Sequence, residues 1–534
     1  MSRKDDFQKY DNTVFDILII GGGVTGAGIA LDAASRGLSV ALVEMFDYAS
    51  GTSSKSTKLI HGGLRYLKQF EISLVREVGR ERAIVHQIAP HLVRPRKMLL
   101  PIIKGGSFSK FTTGIALWVY DFLAGVKGDD RRQMLNKQET EAKEPLLDKS
   151  RLKGGGYYAE YRTDDARLTL SLIQTARKHG AVCQNYAQAT SFEYDENGQV
   201  SGVHVIDKET TRKVYIRARQ VVNAAGPWVD KIREQDNAQA DDRLFLSKGI
   251  HIVIPHERFP VHQAIYFDVG DGRMIFAIPR LSCTYIGTTD TEYDGDLSKI
   301  PVLKEEVNYL LDATNRMFPS VKLVEKDVVS SWAGLRPLIR EKGKSATEIS
   351  RKDELFIAPS GLINIAGGKL TGYRKMAEKV VDKVVSLLDE DYLPIQTQTL
   401  LLDGAPENGE QGVAQLLANI SNRVKLLKLP ELRTTYLLEN YGQNAFAILD
   451  GMSEFEEETD PEMSLIRAEA KYCIQNEQAR RLVDFFIRRT GRLYFDIDSV
   501  DKSKDIILQD FAYLLNLDAF TQMEQVAELN DLMI

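Results

Sequence analysis

The segment VFDILIIGGGVTGAGIALDAASRGLSVALVE, residues 14–44, constrains the fold more than any other part of the chain. Val14 to Ile20 is an apolar run with one charge, Asp16, and reads as a buried parallel strand. Gly21, Gly23 and Gly26 follow with the spacing G-x-G-x-x-G. Ala27 to Arg36 has a helical pattern closed by Gly37, and Leu38 to Val43 is a second apolar strand that ends at Glu44. Gly21 suits a tight turn, Gly23 the approach of backbone N–H groups to a pyrophosphate, and Gly26 the packing of helix on strand. The helix N-terminus adds unpaired amides that face phosphate charge. Glu44 offers an acceptor for ribose hydroxyls. The glycine spacing alone says little. With both strands, the helix and the terminal acid in place, it predicts a dinucleotide cradle rather than an ordinary βαβ unit.

A chain of 534 residues has room for two or three domains. Its net charge of −6 argues against bulk binding of nucleic acid. Cys183, Cys283 and Cys473 lie far apart, with neither C-x-x-C nor metal-ligand spacing, so free thiols and no metal centre are expected. The opening MSRKDDFQKYDNT lacks the apolar core of a signal peptide. No run reaches the roughly 18 apolar residues of a membrane span. The nearest, Gly114 to Val126, is interrupted by Asp121. A soluble or peripheral cytoplasmic protein is the expectation.

Further along, Ser50 to Thr57 is a loop of small donors that follows the ribose-binding strand. His61, Gly62 and Gly63 admit close backbone approach to a flat ligand, and Arg65 and Tyr66 come next. Arg94, Arg96, Lys97, Lys104 and Lys110 are interleaved with apolar side chains and no acid, and Trp118 and Tyr120 follow. That mixture over residues 90–126 suits an anionic membrane surface, with a core strand and helix as the plainer alternative. Gln220 to Ala225 is a buried strand running into Gly226 and Pro227. His251 sits between Ile250 and Ile252, a setting that by itself suits a core histidine. Leu362 to Ala366 is another strand, followed by Gly367, Gly368, Lys369, Leu370 and Thr371 and then a helix to Leu388. A linker near residue 395 precedes a mostly helical remainder.

The stretches IIGGGVTGAGIALDAASRGLSVALVE, TSSKSTKLIHGGLRYL, VVNAAGPWVD, IGTTDTEYDGD, GLRPL and AGGKLTGYRKMAE together resemble the FAD-dependent glycerol-3-phosphate dehydrogenases of aerobic bacteria and mitochondria, within the glycine-oxidase and D-amino-acid-oxidase superfamily. They run in the family's order from residue 19 to about 380, and residues 395–534 resemble its helical C-terminal domain with fewer sharp motifs. The resemblance implies an α/β fold in which a Rossmann-like FAD domain (about 14–90, 150–230 and 330–390) carries an inserted, mostly β substrate domain (about 91–149 and 240–330). An all-α domain over 395–534 completes it.

The resemblance also implies a set of site residues. Gly21, Gly23, Gly26 and Glu44 hold the ADP half of FAD. Thr52, Ser53, Ser54, His61, Gly62 and Gly63 lie along the pyrophosphate and flavin, and Gly226 with Gly367, Gly368, Lys369, Leu370 and Thr371 completes the pocket. Arg65, Tyr66, His251, Arg336, Arg351 and Lys369 form an anion clamp, for which cations with bidentate geometry are suited. The reaction implied is oxidation of glycerol 3-phosphate to dihydroxyacetone phosphate, with electrons passed to a membrane quinone. The related oxidases use oxygen and release hydrogen peroxide. His251 is the favoured base, with Lys369 or a water as rivals, while Arg336 and Lys369 stabilise the developing alkoxide. Peripheral attachment to the inner face of the cell membrane goes with a quinone acceptor, and a homodimer stays open.

Overall fold

The computed structural model describes residues 3–60, 72–108, 113–114, 117, 131–270, 273–341 and 352–533. Two sheets organise the first four hundred residues. At the centre of one, Val14–Ile20 lies parallel to Val40–Val43 on one side and to Lys213–Asn223 on the other. Val182–Gln184 and Ile363–Gly367 extend it in parallel, and Asp353–Ile357 closes that edge antiparallel. The central strands are buried on both faces: the helices Val24–Ser35, Asp165–Lys178 and Tyr373–Leu388 pack on one, and the helix Arg3–Asn12 with the strands Ala187–Tyr194 and Val200–Asp207 on the other. In such a sheet, ligands bind beyond the carboxyl ends of the strands. Here Ile20 stands opposite Asn223, and Asn223 opposite Asn364, so three glycine-rich turns leave the sheet at the same level. The buried amides of Asn223 and Asn364 are joined at 2.8 Å and fix that level.

The second sheet is built on Leu244–Pro255, which pairs with Cys283–Gly287 and along its whole length with Ser330–Ile339. Beyond Met274–Arg280 and Ala264–Asp268 the sheet continues through Arg94–Ile103 and Leu152–Arg162 to Leu59–Ile60. Leu152–Arg162 and Ser330–Ile339 therefore belong to this sheet, whereas the sequence reading grouped them with the FAD-binding part. An apolar run identifies a strand but not its partner.

The first part of the basic stretch is built into the second sheet. Arg94–Ile103 is a strand whose Leu99, Leu100, Ile102 and Ile103 are core. Arg94 pairs with Glu410 at 2.8 Å and Arg96 with Glu439 at 2.7 Å. Both arginines are thus joined to the helical remainder of the chain. Lys110, Trp118 and Tyr120 lie outside the described residues. No helix among the described residues is long and apolar enough to cross a membrane.

From Gly409 onward the described chain is helical, with Gly409–Leu426, Leu432–Tyr441, Pro461–Glu477, Ile497–Leu515 and Ala519–Asn530 among its elements. These helices share one core with the second sheet, where Leu437, Tyr441 and Phe495 meet Met98, Tyr158 and Trp332. Buried charges join them to the first sheet. Asp47, just past Glu44, accepts from Arg489 at 2.7 and 2.9 Å and from Arg488 at 2.5 Å. Arg167 and Glu477 form a second buried pair at 2.7 and 2.8 Å.

Candidate functional site

A cavity of about 440 Å³ opens where the parallel strands end. Gly21, Gly23, Glu44, Thr52, Ser53, Gly226, Gly367, Gly368, Lys369 and Leu370 all line it. Gly21 has φ +114°, and a Cβ there would meet the carbonyl of Ala224 on the neighbouring strand, so only glycine makes this turn. Gly26 lies behind the wall, where any side chain would run into the Gly21 carbonyl; its role is helix packing. Glu44 accepts from the backbone N–H of Gly22 at 2.7 Å and of Phe46 at 2.9 Å. Burial raises its pKa against those two bonds, and a ribose hydroxyl donating to it would favour the charged form. The Ser53 hydroxyl accepts from the Val24 amide at 2.9 Å, at the helix N-terminus.

The lining thus offers glycine backbone, a helix N-terminus and an acid held by backbone, which fits the phosphates and ribose of FAD. Trp228, Phe46 and the backbone of Ala187 to Ala189 complete the wall. Trp228 belongs to the stretch VVNAAGPWVD, whereas no motif flagged Phe46 or Ala187 to Ala189, which come from a loop and a strand that only the fold brings here. Ser54 does not line the cavity: it is buried beneath the loop, and its hydroxyl has no hydrogen-bond partner among the described residues.

A second cavity of about 160 Å³ continues from the first, with Val24, Thr52, Ser53, Pro337, Gly368, Lys369 and Leu370 in the walls of both. Its floor is the second sheet, and its other walls come from Lys55, Ser56, Thr57 and Thr371. The sheet face is cleared by glycines. A Cβ at Gly249 would overlap the Arg336 guanidinium, one at Gly287 the His251 ring, and one at Gly334 the Lys55 backbone. Arg336 is held by the Thr288 hydroxyl at 2.9 Å, the Thr289 carbonyl at 3.3 Å and the Asp290 carboxylate at 3.3 Å.

His251 is 1% exposed and stacks on Trp332 with centroids 4.7 Å apart and planes at 11°. Its Nε2 is 3.0 Å from the Thr57 hydroxyl, and its Nδ1 has no hydrogen-bond partner among the described residues. Burial, then Arg336 and Lys58, holds its pKa well below the usual 6.5, so the imidazole is neutral. Burial and the Arg488 guanidinium pull the Lys55 ammonium down to about 8. Lys55 is a site residue that sequence reasoning missed; a lysine in a Ser/Thr loop looks like a solvated one. Among the described lining there are three cations (Lys55, Arg336 and Lys369), one histidine and no carboxylate. His61, Gly62, Gly63, Arg65, Tyr66 and Arg351 lie outside the described residues.

The model of the FAD dependent oxidoreductase (DAO) family matches residues 16–374, and that of the C-terminal domain of alpha-glycerophosphate oxidase matches residues 395–522. An aerobic glycerol-3-phosphate dehydrogenase of Staphylococcus aureus is 49% identical over 522 residues, 96% of this chain and 94% of that protein. The structure of a glycerol-3-phosphate dehydrogenase from Bacillus halodurans, solved in complex with FAD, is 43% identical with a TM-score of 0.85, covering 99% of this chain and 96% of that one. An L-alpha-glycerophosphate oxidase of Mycoplasma pneumoniae shares the fold over 73% of this chain and 98% of its own, at 19% identity and a TM-score of 0.55. The cofactor is FAD. The match runs through both the cofactor part and the helical remainder, and the chain belongs to the FAD-dependent glycerol-3-phosphate dehydrogenases of the DAO family.

Proposed function

We propose that this chain oxidises sn-glycerol 3-phosphate to dihydroxyacetone phosphate and delivers the electrons to a membrane quinone. The observation that carries the reading is the second cavity, which adjoins the dinucleotide cavity and is walled by three cations, a neutral histidine and no described carboxylate. A small alcohol bearing a dianion matches that lining in charge, and the fork of Arg336 suits a phosphate or an alkoxide oxygen. When bound, FAD supplies the two-electron acceptor.

The chain's own groups do the rest. The proton of the substrate hydroxyl passes to His251 Nε2 through the Thr57 hydroxyl, which lies 3.0 Å from that nitrogen and gives up its own proton as it takes the substrate's. The charge of Arg336 opposes protonation of His251, and the entering dianion offsets that opposition. Arg336 and Lys369 face the oxygen on which negative charge develops, in a site with little water to screen them. Arg65, Tyr66 and Arg351 belong to the same proposed clamp.

Quinone as acceptor is supported by the kinship with proteins named aerobic dehydrogenases. It carries with it peripheral attachment to the inner face of the cell membrane. Rapid mixing of the substrate-reduced protein with a water-soluble quinone analogue or with oxygen tests it. Fast reduction of the quinone and slow reaction with oxygen is expected; fast oxygen uptake with release of hydrogen peroxide would make the protein an oxidase.

A further inference from the structure

Thr57 is held against His251 by its neighbours in the loop as well as by its own side chain. The Ser56 amide donates to Asp165 at 3.0 Å, the Lys58 amide to the Ser56 hydroxyl at 3.0 Å, and the Tyr285 hydroxyl to the Thr57 carbonyl at 3.1 Å. Lys58 lies in the left-handed region, with φ +58°, where a residue with a side chain stays only if its surroundings hold it. Its ammonium supplies that hold. It donates to Asp165 at 2.5 Å and to the Ser54 carbonyl at 3.2 Å, and it lies 3.4 Å from Asp164. Lys58 is 2% exposed and Asp165 is fully buried, so water screens the pair little. Asp165 opens the helix Asp165–Lys178, which packs on the parallel sheet. Its carboxylate therefore grips the loop from a rigid element. One oxygen takes the Ser56 amide and the other the Lys58 ammonium, the residues on either side of Thr57.

We infer that Lys58 and Asp165 are the positioning residues of proton transfer, which together fix the Thr57 hydroxyl on His251 Nε2. Given the proton path proposed above, on which this rests, a relay hydroxyl displaced by about an ångström no longer spans donor and acceptor. The pair thus acts on the chemical step and not on substrate binding. Lys58 has a second part that Asp165 does not share. The charged and titratable groups facing His251 are Lys58 from the loop, Arg336 from the strand Ser330–Ile339 and the Tyr285 phenol from Cys283–Gly287, which burial keeps protonated. Lys55 and Lys369 stand elsewhere in the same lining. Lys58 and Arg336 both lower the pKa of the imidazole, so loss of Lys58 lets it rise, whereas loss of the Asp165 charge does not.

The test is rapid anaerobic mixing of the FAD-loaded protein with saturating glycerol 3-phosphate, followed by flavin absorbance from about pH 6 to 9, a span that covers the ordinary histidine range. Asp165→Asn, Lys58→Met and Thr57→Val are each expected to slow flavin reduction by about 10- to 100-fold, with FAD content and substrate affinity close to wild type. Lys58→Met should gain an acid limb that the wild type lacks, while Asp165→Asn keeps the wild-type profile at a lower rate. A merely structural role would alter the two profiles alike. Should Lys58→Met fail to fold because it strands buried carboxylates, the double variant Lys58→Met/Asp165→Asn removes both charges and leaves Asp164 to Arg280; it carries the same predicted rate and acid limb. Asp165→Asn as fast as wild type, with Thr57→Val slow, would overturn the inference and leave the proton path standing. Absence of the acid limb from every Lys58 variant would overturn it too. Wild-type rates in Thr57→Val would overturn the path itself and the inference with it.

Discussion

In the proposed reaction His251 receives a proton, and its setting keeps it neutral beforehand. Its ring is sealed from water by Trp332 and faces the positive charge of Arg336. A histidine whose pKa is lowered stays neutral down to a pH below its ordinary range. The profile of kcat/KM against pH is therefore expected to show no loss of activity from His251 between pH 6 and 7; the ionisation of roughly pH 6 belongs to the substrate phosphate. His251→Asn should lower kcat by about 10²- to 10⁴-fold with FAD retained, as measured by steady-state turnover and flavin absorbance. Unchanged turnover in that variant would remove His251 from the role. At this scale the sequence was informative about residue type. It marked His251, Arg336 and Lys369, and the fold brings them into one cavity. Lys55, Thr57 and Trp332 were not legible, because each acquires its part only when a loop or a strand from elsewhere comes to lie beside it.

The strands Leu244–Pro255, Cys283–Gly287 and Ser330–Ile339 form a floor in which glycine makes room for function. Gly249, Gly287 and Gly334 leave the space that Arg336, His251 and the Lys55 loop occupy. Gly249→Ala would push the Arg336 guanidinium aside. Its expected effect is a fall in kcat/KM of about 10²-fold with normal FAD content, since a misplacement on the order of an ångström has that cost. Behind the floor, Trp332 is braced by Tyr494 at 4.8 Å and Phe495 at 5.8 Å, both from the helical domain. Phe495→Ala should admit water to His251 and let its pKa climb back toward 6.5, so that an acid limb appears in the variant's profile and not in the wild type's. The glycine fingerprint made the first strand, turn and helix readable, because backbone geometry there demands particular residues. The membership of Ser330–Ile339 in the second sheet was not readable, because its pairing with Leu244–Pro255 joins residues far apart in the chain.

Across the whole molecule, the helical domain is part of the enzyme's core and not an appendage. Asp47 is the clearest link, fully buried between Arg488 and Arg489. Burial alone would raise its pKa, but Arg489 and Arg488 outweigh that and hold it at about 2. Its stabilising contribution is thus complete above the ordinary 3.8 and is lost as pH falls through about 2. Asp47→Ala strands two buried guanidinium groups and should cost about 3–5 kcal/mol in chemical denaturation, along with weaker retention of FAD. The cavity beside the cofactor is proposed to accept a phosphorylated alcohol. Anaerobic addition of substrate to the FAD-loaded protein, followed by flavin absorbance, tests it most directly. Glycerol 3-phosphate should bleach the flavin while glycine and sarcosine leave it yellow; bleaching by an amino acid, with none by glycerol 3-phosphate, would contradict the account.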